Sequence, residues 1–273
     1  MPDSLAGVLR SNVRQTALSA LETLGRLVAL AIESVQGSVA DVVSRRFQWR
    51  ETTNQAWYLI TVTAIPAILM AIPFGVVVSI QVGNLIKQLG ADSLLGAAGG
   101  LGVIQQGAPL ATGLLLGGAG TATIAADLGA RTIREEIDAL RTMGISPVHR
   151  LVIPRMVAML FVAPLLNILI IFVGVLSGYL VATAAQGVTP GSYWATFGSF
   201  ATLTDVAISL VKALLFGFLV VIIGCHRGLE AKGGPRGVAD GVNAAVVLSV
   251  VAIALVNVGI TQIVSMFFPT KVA

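Results

Sequence analysis

The stretch from Asp127 to Arg155, DLGARTIREEIDALRTMGISPVHRLVIPR, is the one long charged run between two strongly apolar regions. Thr132 followed by Glu135 has the spacing of a capping box, in which a hydroxyl and a carboxylate satisfy orphan N–H groups at a helix start. Ile133, Ile137, Leu140 and Gly144 fall on one side at helical spacing. Arg131 with Glu135, and Arg134 with Asp138, are placed to pair across one turn on the wet side. Acidic residues gather in the first turn and Arg141 lies toward the last, as the helix dipole favours. Gly144 suits the C-cap and Pro147 forbids continuation. The spacing predicts a helix of about 15–18 Å at ~1.5 Å per residue, too short and too charged to cross a bilayer. A short wet helix flanked by apolar segments points to an all-α integral membrane protein.

Composition agrees. The chain has 273 residues, of which 56% are hydrophobic and 11% charged. Its mean hydropathy is +0.90, whereas ordinary globular proteins are about 25% charged. The 30 glycines, many inside apolar runs, suit close helix approach in a bilayer. The single cysteine, Cys225, excludes an intramolecular disulfide, and no Cys/His cluster suggests a metal site. The net charge of +4 bears on topology rather than on nucleic acid, for which no partner role is expected.

Working outward, the apolar regions resolve into five expected spans: 57–82, 94–126, 151–183, 206–225 and 242–268. Pro66 and Pro73 are expected to bend the first. Residues 84–93 form a polar break, and the second span is expected to break near Gln105 to Pro109. Residues 184–205, with Tyr193, Trp194, Phe197 and Phe200, suit an interfacial segment. Residues 226–240 read as a Gly-rich basic loop. Ahead of the spans, Leu5, Leu9, Val13, Ala17, Leu21, Leu24, Val28, Ala31 and Val35 form an apolar stripe with the charges off it. That pattern fits a helix lying in the membrane interface, or one packed on another protein surface. The chain therefore divides into an N-terminal amphipathic region, 1–50, and a transmembrane domain, 51–273. No signal peptide is apparent.

Placing residues 1–50, 127–155 and 226–240 on one side gathers fourteen of the seventeen basic residues there. By the positive-inside rule that side is the cytoplasm, which leaves the C-terminus outside.

Signatures of catalysis are missing. The sequence has no GxxxxGK[ST], HExxH or GxSxG. His149 and His226 fall at membrane edges, and GGAG at 117–120 lacks a preceding strand. Gly96 with Gly100, and Gly113 with Gly117, read as helix-packing faces. Gln105 and Gln106 suit either a lipid path or interhelical hydrogen bonds. Lys212, about two turns into its span, either snorkels toward Asp205 or faces a substrate.

The residues resemble the MlaE/YrbE permeases of Mce-type lipid ABC transporters, from about Gln81 to Phe268. The resemblance rests on the lead from Gly117 to Asp127, on Gly129, Glu136, Met143, Pro147, Arg150, Pro154 and Arg155, and on GGPRGVADGVNAAVV at 233–247. It implies that the wet helix is a coupling helix docking into a separate ABC ATPase, present in two copies. Glu135, Glu136, Asp138, Leu140 and Arg141 are then the coupling residues, and Gln81, Gln105, Gln106 and Lys212 mark the substrate path. It also implies a second permease, a hexamer of MCE proteins and a bacterial inner-membrane location. ATP and Mg would be used by the ATPase, with no cofactor and no catalysis on this chain. As aligned, relatives carry an Arg-Glu pair at Gln105 and Gln106 and an Arg at Ala119, which points to a non-identical partner permease. The reading that follows is a permease that imports lipid between an MCE assembly and the inner membrane. Its alternatives are a secondary transporter, which normally shows intramembrane acids and internal repeats, and a structural membrane anchor.

Overall fold

A hydrocarbon medium offers the backbone no hydrogen-bond partners, so apolar segments of this length close their bonds internally as helices. The computed structural model describes residues 5–44, 47–88, 90 and 94–267. Arg45, Arg46, Asp92 and the closing Pro269, Thr270 and Lys271 lie outside the described residues, as do the side chains of residues 5–17. Among the described residues there are ten α-helices and no strand: α1 (Leu5–Val43), α2 (Trp49–Gln88), α3 (Leu95–Gly102), α4 (Ala108–Leu115), α5 (Thr121–Ile133), α6 (Glu136–Thr142), α7 (Ile153–Gln186), α8 (Pro190–Phe200), α9 (Leu203–Leu229) and α10 (Gly234–Phe267). Three five-residue π-helical segments, Val103–Gly107, Leu116–Gly120 and Val148–Val152, join α3 to α4, α4 to α5 and lead into α7.

Five helical stretches are long and apolar enough to cross a membrane: Trp49–Gln88, Ala98–Ile133, Val148–Gln186, Leu203–Leu229 and Gly234–Phe267. The chain is a multi-pass membrane protein. The second span is the most buried, while α2 and α10 are the least.

The first span begins earlier than its apolar run and stays α-helical through Pro66 and Pro73. The expected break at 105–109 is instead absorbed in a π segment, with Ala108 N–H donating to the Val103 carbonyl. The expected 226–240 loop is mostly helix, because α9 runs to Leu229 and α10 starts at Gly234. The α9 helix starts on a capping box formed by Thr202 and Asp205.

The seam between α2 and α7 holds the first span. Thr63, Ala67, Ala71, Gly75, Ser79 and Gly83 are all buried along it, a small residue at every fourth position that brings the two backbones together. A Cβ at Gly75 would overlap the Gly174 carbonyl oxygen and the Ser177 hydroxyl. Ser79 Oγ donates to the Gly178 carbonyl at 3.1 Å. The other glycine pairs serve as packing faces too. Gly96 and Gly100 lie against Tyr193, Thr196 and Phe197 of α8, and Gly113 and Gly117 against Phe216, Val250 and Ile253. Tyr193 is buried in an aromatic cluster with Tyr179, Trp194 and Phe197, and burial pushes its hydroxyl pKa up to about 12.

The α1 helix packs against α7, α9 and the Val148–Val152 segment. It does so through Leu27, Ser34 and Gly37, while Leu21, Leu24, Val28 and Val35 of the apolar stripe face outward. Arg26 pairs with Glu230 at 3.4 Å and Asp41 with His149 at 2.9 Å. These contacts gather the N-terminal helix, the 127–155 stretch and the α9–α10 turn at one end of the bundle, the basic end.

Candidate functional site

The charged stretch is not the single helix that its spacing suggests. The second span continues as α5 to Ile133, the chain turns at Arg134 and Glu135, and α6 follows as a seven-residue helix. The Thr132–Glu135 capping box does not form, because Thr132 is already helical. Its hydroxyl instead donates toward the Leu128 carbonyl at 2.8 Å and the Gly228 carbonyl at 3.1 Å. Glu135 takes a left-handed conformation with φ 61°. That turn also breaks the expected i,i+4 pairs. Arg131 bonds Asp127 at 3.2 Å and approaches Glu136 at 3.8 Å, Arg134 pairs with Glu136 at 3.0 Å, and Arg141 pairs with Asp138 at 3.2 Å.

The far end of α6 follows the sequence closely. Gly144 has φ +73°, its N–H bonds the Arg141 carbonyl, and Ile145 N–H bonds the Leu140 carbonyl. These two bonds are a Schellman cap. A non-glycine residue in the left-handed region is strained by roughly 1 kcal/mol. Glu135→Gly should therefore raise the thermal midpoint of the purified chain slightly, whereas Glu135→Ala should not.

The five residues singled out on this stretch divide by placement. Glu136 is held between two guanidiniums, and Leu140 packs against the core beside buried Ile137. Glu135, Asp138 and Arg141 line an open groove of ≈ 430 Å³ between α6 and the Ala231–Gly234 turn. Met143 and Ile145 are exposed just beyond, at 64% and 42%. The sequence offered only a weak signal for them as a surface, since Ile145 lies outside the helical repeat. The end of α5 that leads toward α6 packs tightly on α9 and α10. A Cβ at Gly228 would come within 2.7 Å of Leu128 Cβ, and one at Gly129 within 2.9 Å of Val238.

Toward the opposite end, the polar residues of the spans meet in one network. Pro109 has no N–H, so the carbonyl four residues earlier, that of Gln105, loses its helical partner. Lys212 supplies the replacement, donating from Nζ to the Gln105 carbonyl at 3.2 Å and to Thr261 Oγ1 at 3.0 Å. Gln105 Nε2 donates to Asp205 Oδ1 at 2.9 Å, and Gln106 Nε2 to Thr261 Oγ1 at 3.4 Å. Lys212 is 2% exposed, and the bonds it makes run to Gln105 and Thr261, not to Asp205. Thr261 escaped the sequence reading because a threonine in a long apolar helix carries no signal of its own. Gln81 is exposed on α2 and its side chain makes no hydrogen bond to any described residue.

A family model described as permease MlaE matches residues 52–263. The chain belongs to the MlaE permease family. Both polar regions lie within the MlaE match, whereas α1 precedes it. The chain is similar to a probable ABC transporter permease of Synechocystis, with 33% identity over 67% of this chain and 70% of the relative. A probable ABC transporter permease of Rickettsia typhi is 30% identical over 73% of this chain and 78% of that protein. The Haemophilus influenzae MlaE, a permease protein of an intermembrane phospholipid transport system, is 27% identical over 63% of this chain and 67% of its own length.

Proposed function

We propose that this MlaE-family chain is the transmembrane subunit of an ABC transporter that imports lipid between an MCE assembly and the bacterial inner membrane. The basic end is the cytoplasmic end, α1 lies along the membrane interface, and α6 is the coupling helix that receives a separate ABC ATPase. One observation carries the reading. A short, charged helix, capped at its C-terminal end and anchored by buried Ile137, is held at the basic end of the bundle against α5. A helix so fastened transmits partner closure as rigid-body motion. ATP and Mg belong to the partner, and the second permease is a non-identical chain. The phospholipid named for the Haemophilus relative supports lipid as the cargo class.

Exposure refines the choice of variants, because Glu136 and Leu140 are partly committed to contacts within the chain. Asp138→Lys combined with Arg141→Glu, or Met143→Asp alone, should weaken ATPase association by about tenfold or more while the chain still inserts. Co-purification of the ATPase at the wild-type ratio would overturn the docking assignment.

In this reading Gln105, Gln106 and Lys212 mark the lipid path, with Lys212 buried behind Gln105 and Gln81 on the outer face of α2. Lys212→Met should leave complex assembly within about twofold and lower lipid transport by about tenfold, as expected of a functional intramembrane charge. Normal transport in a reconstituted complex would reduce the lysine to a structural tie.

A further inference from the structure

A second polar cavity lies at the basic end, between α2, α5 and α7. It measures ≈ 160 Å³ and is lined by Asn54, Gln55, Tyr58, Thr123, Arg131 and Arg155, with Asp127 between the two arginines. Arg155 is 1% exposed. A guanidinium offers five N–H donors in a planar fork. Only two hydrogen bonds from Arg155 are made among the described residues, to the Leu151 carbonyl and to Asp127. Asn54, Tyr58 and Thr123 line the same space and make no side-chain hydrogen bond to any described residue.

Charge favours an anion there. Two lining arginines, Arg131 and Arg155, stand against one lining carboxylate, Asp127. Glu51 accepts from Gln55 at 2.9 Å, and Asp127 and Glu136 are already engaged by arginines. Depth favours a lipid as its source. Trp57 and Tyr58 are 74% and 52% exposed beside the cavity, at the position where aromatic residues mark a headgroup layer. The volume is several times what one ordered water needs, roughly 10–15 Å³.

We infer that this cavity binds the phosphate of an anionic lipid headgroup, gripped by the Arg155 fork with Arg131, Asn54 and Tyr58. The inference rests on the membrane placement of the chain and not on its transport role. It assigns the site to the basic end, apart from the Gln105–Lys212–Thr261 network.

The test uses the full chain, equilibrated with vesicles of phosphatidylcholine containing phosphatidylglycerol, extracted into detergent and weighed by native mass spectrometry. The expected result is one phosphatidylglycerol retained per chain, in about tenfold preference to phosphatidylcholine. Asn54→Trp, which fills the mouth from an exposed position, and Tyr58→Phe, which removes one hydroxyl, should each reduce retention, the former by about tenfold. Displacement of the lipid by inorganic phosphate would identify the phosphate group alone as the ligand; resistance to it would assign recognition to the whole headgroup. Equal retention of the two lipids, or wild-type retention by Asn54→Trp, would overturn the inference. Either negative result leaves the permease reading untouched, because no transport is measured.

Discussion

Gly75→Leu is expected to yield no folded protein, and Gly75→Ala to lower stability by about 1–3 kcal/mol or more, the range for overfilling a packed interior. A methyl group at this position meets the Gly174 carbonyl oxygen and the Ser177 hydroxyl of α7. Neither can step aside at little cost, since Ser177 Oγ donates to that same carbonyl at 2.9 Å. The helices must therefore separate. Separation also weakens the Ser79–Gly178 bond and the Gln186–Ser79 bond, 3.1 and 3.2 Å long. Gly118 and Gly259 have no atom near a prospective Cβ, so Gly118→Ala and Gly259→Ala serve as controls. Unfolding in mixed detergent micelles reads the difference. Wild-type stability for Gly75→Ala would mean that α2 and α7 are not in close contact.

The second large effect concerns Asp127 and Arg155. Asp127→Ala strands a nearly fully buried guanidinium, a change that typically costs ~3–5 kcal/mol when one partner of a buried pair is removed. The low end applies here, because the Asp127 side chain is 36% exposed and Arg131 also neutralises it. Asp127→Leu combined with Arg155→Met removes both charges and should recover most of that loss in the same unfolding assay. Failure of the double variant to improve on Asp127→Ala would show that the arginine is needed for more than neutralising its partner.

Much of this architecture is legible in the residue pattern. Hydropathy marks all five spans, and Gly144 followed by Pro147 marks the end of α6, because those signals depend on local backbone chemistry. The start of α6 is not legible. Thr132-x-x-Glu135 and Thr202-x-x-Asp205 carry similar spacing, yet only the second forms a capping box. At Thr132 the helix has already begun, and a carbonyl of α9 competes for the hydroxyl. Gln105 to Pro109 misleads for a related reason, since a partner more than a hundred residues away in sequence fills the vacancy that proline creates. The α2 seam is hidden differently: when nearly every residue is apolar, hydrophobic periodicity says little, and only residue size distinguishes the buried face.

That seam also has a consequence for alignment of the two helices. Six successive four-residue steps from Leu59 to Gly83 carry small side chains after the first residue, so sliding α2 along α7 by one turn, ~6 Å, would set small residue against small residue again. The interior of the contact works as a ruler with equal divisions and does not define its own zero. Bulky Leu59 at one end and Ile86 at the other, both buried, together with the Gln186–Ser79 bond, are the marks that fix the register.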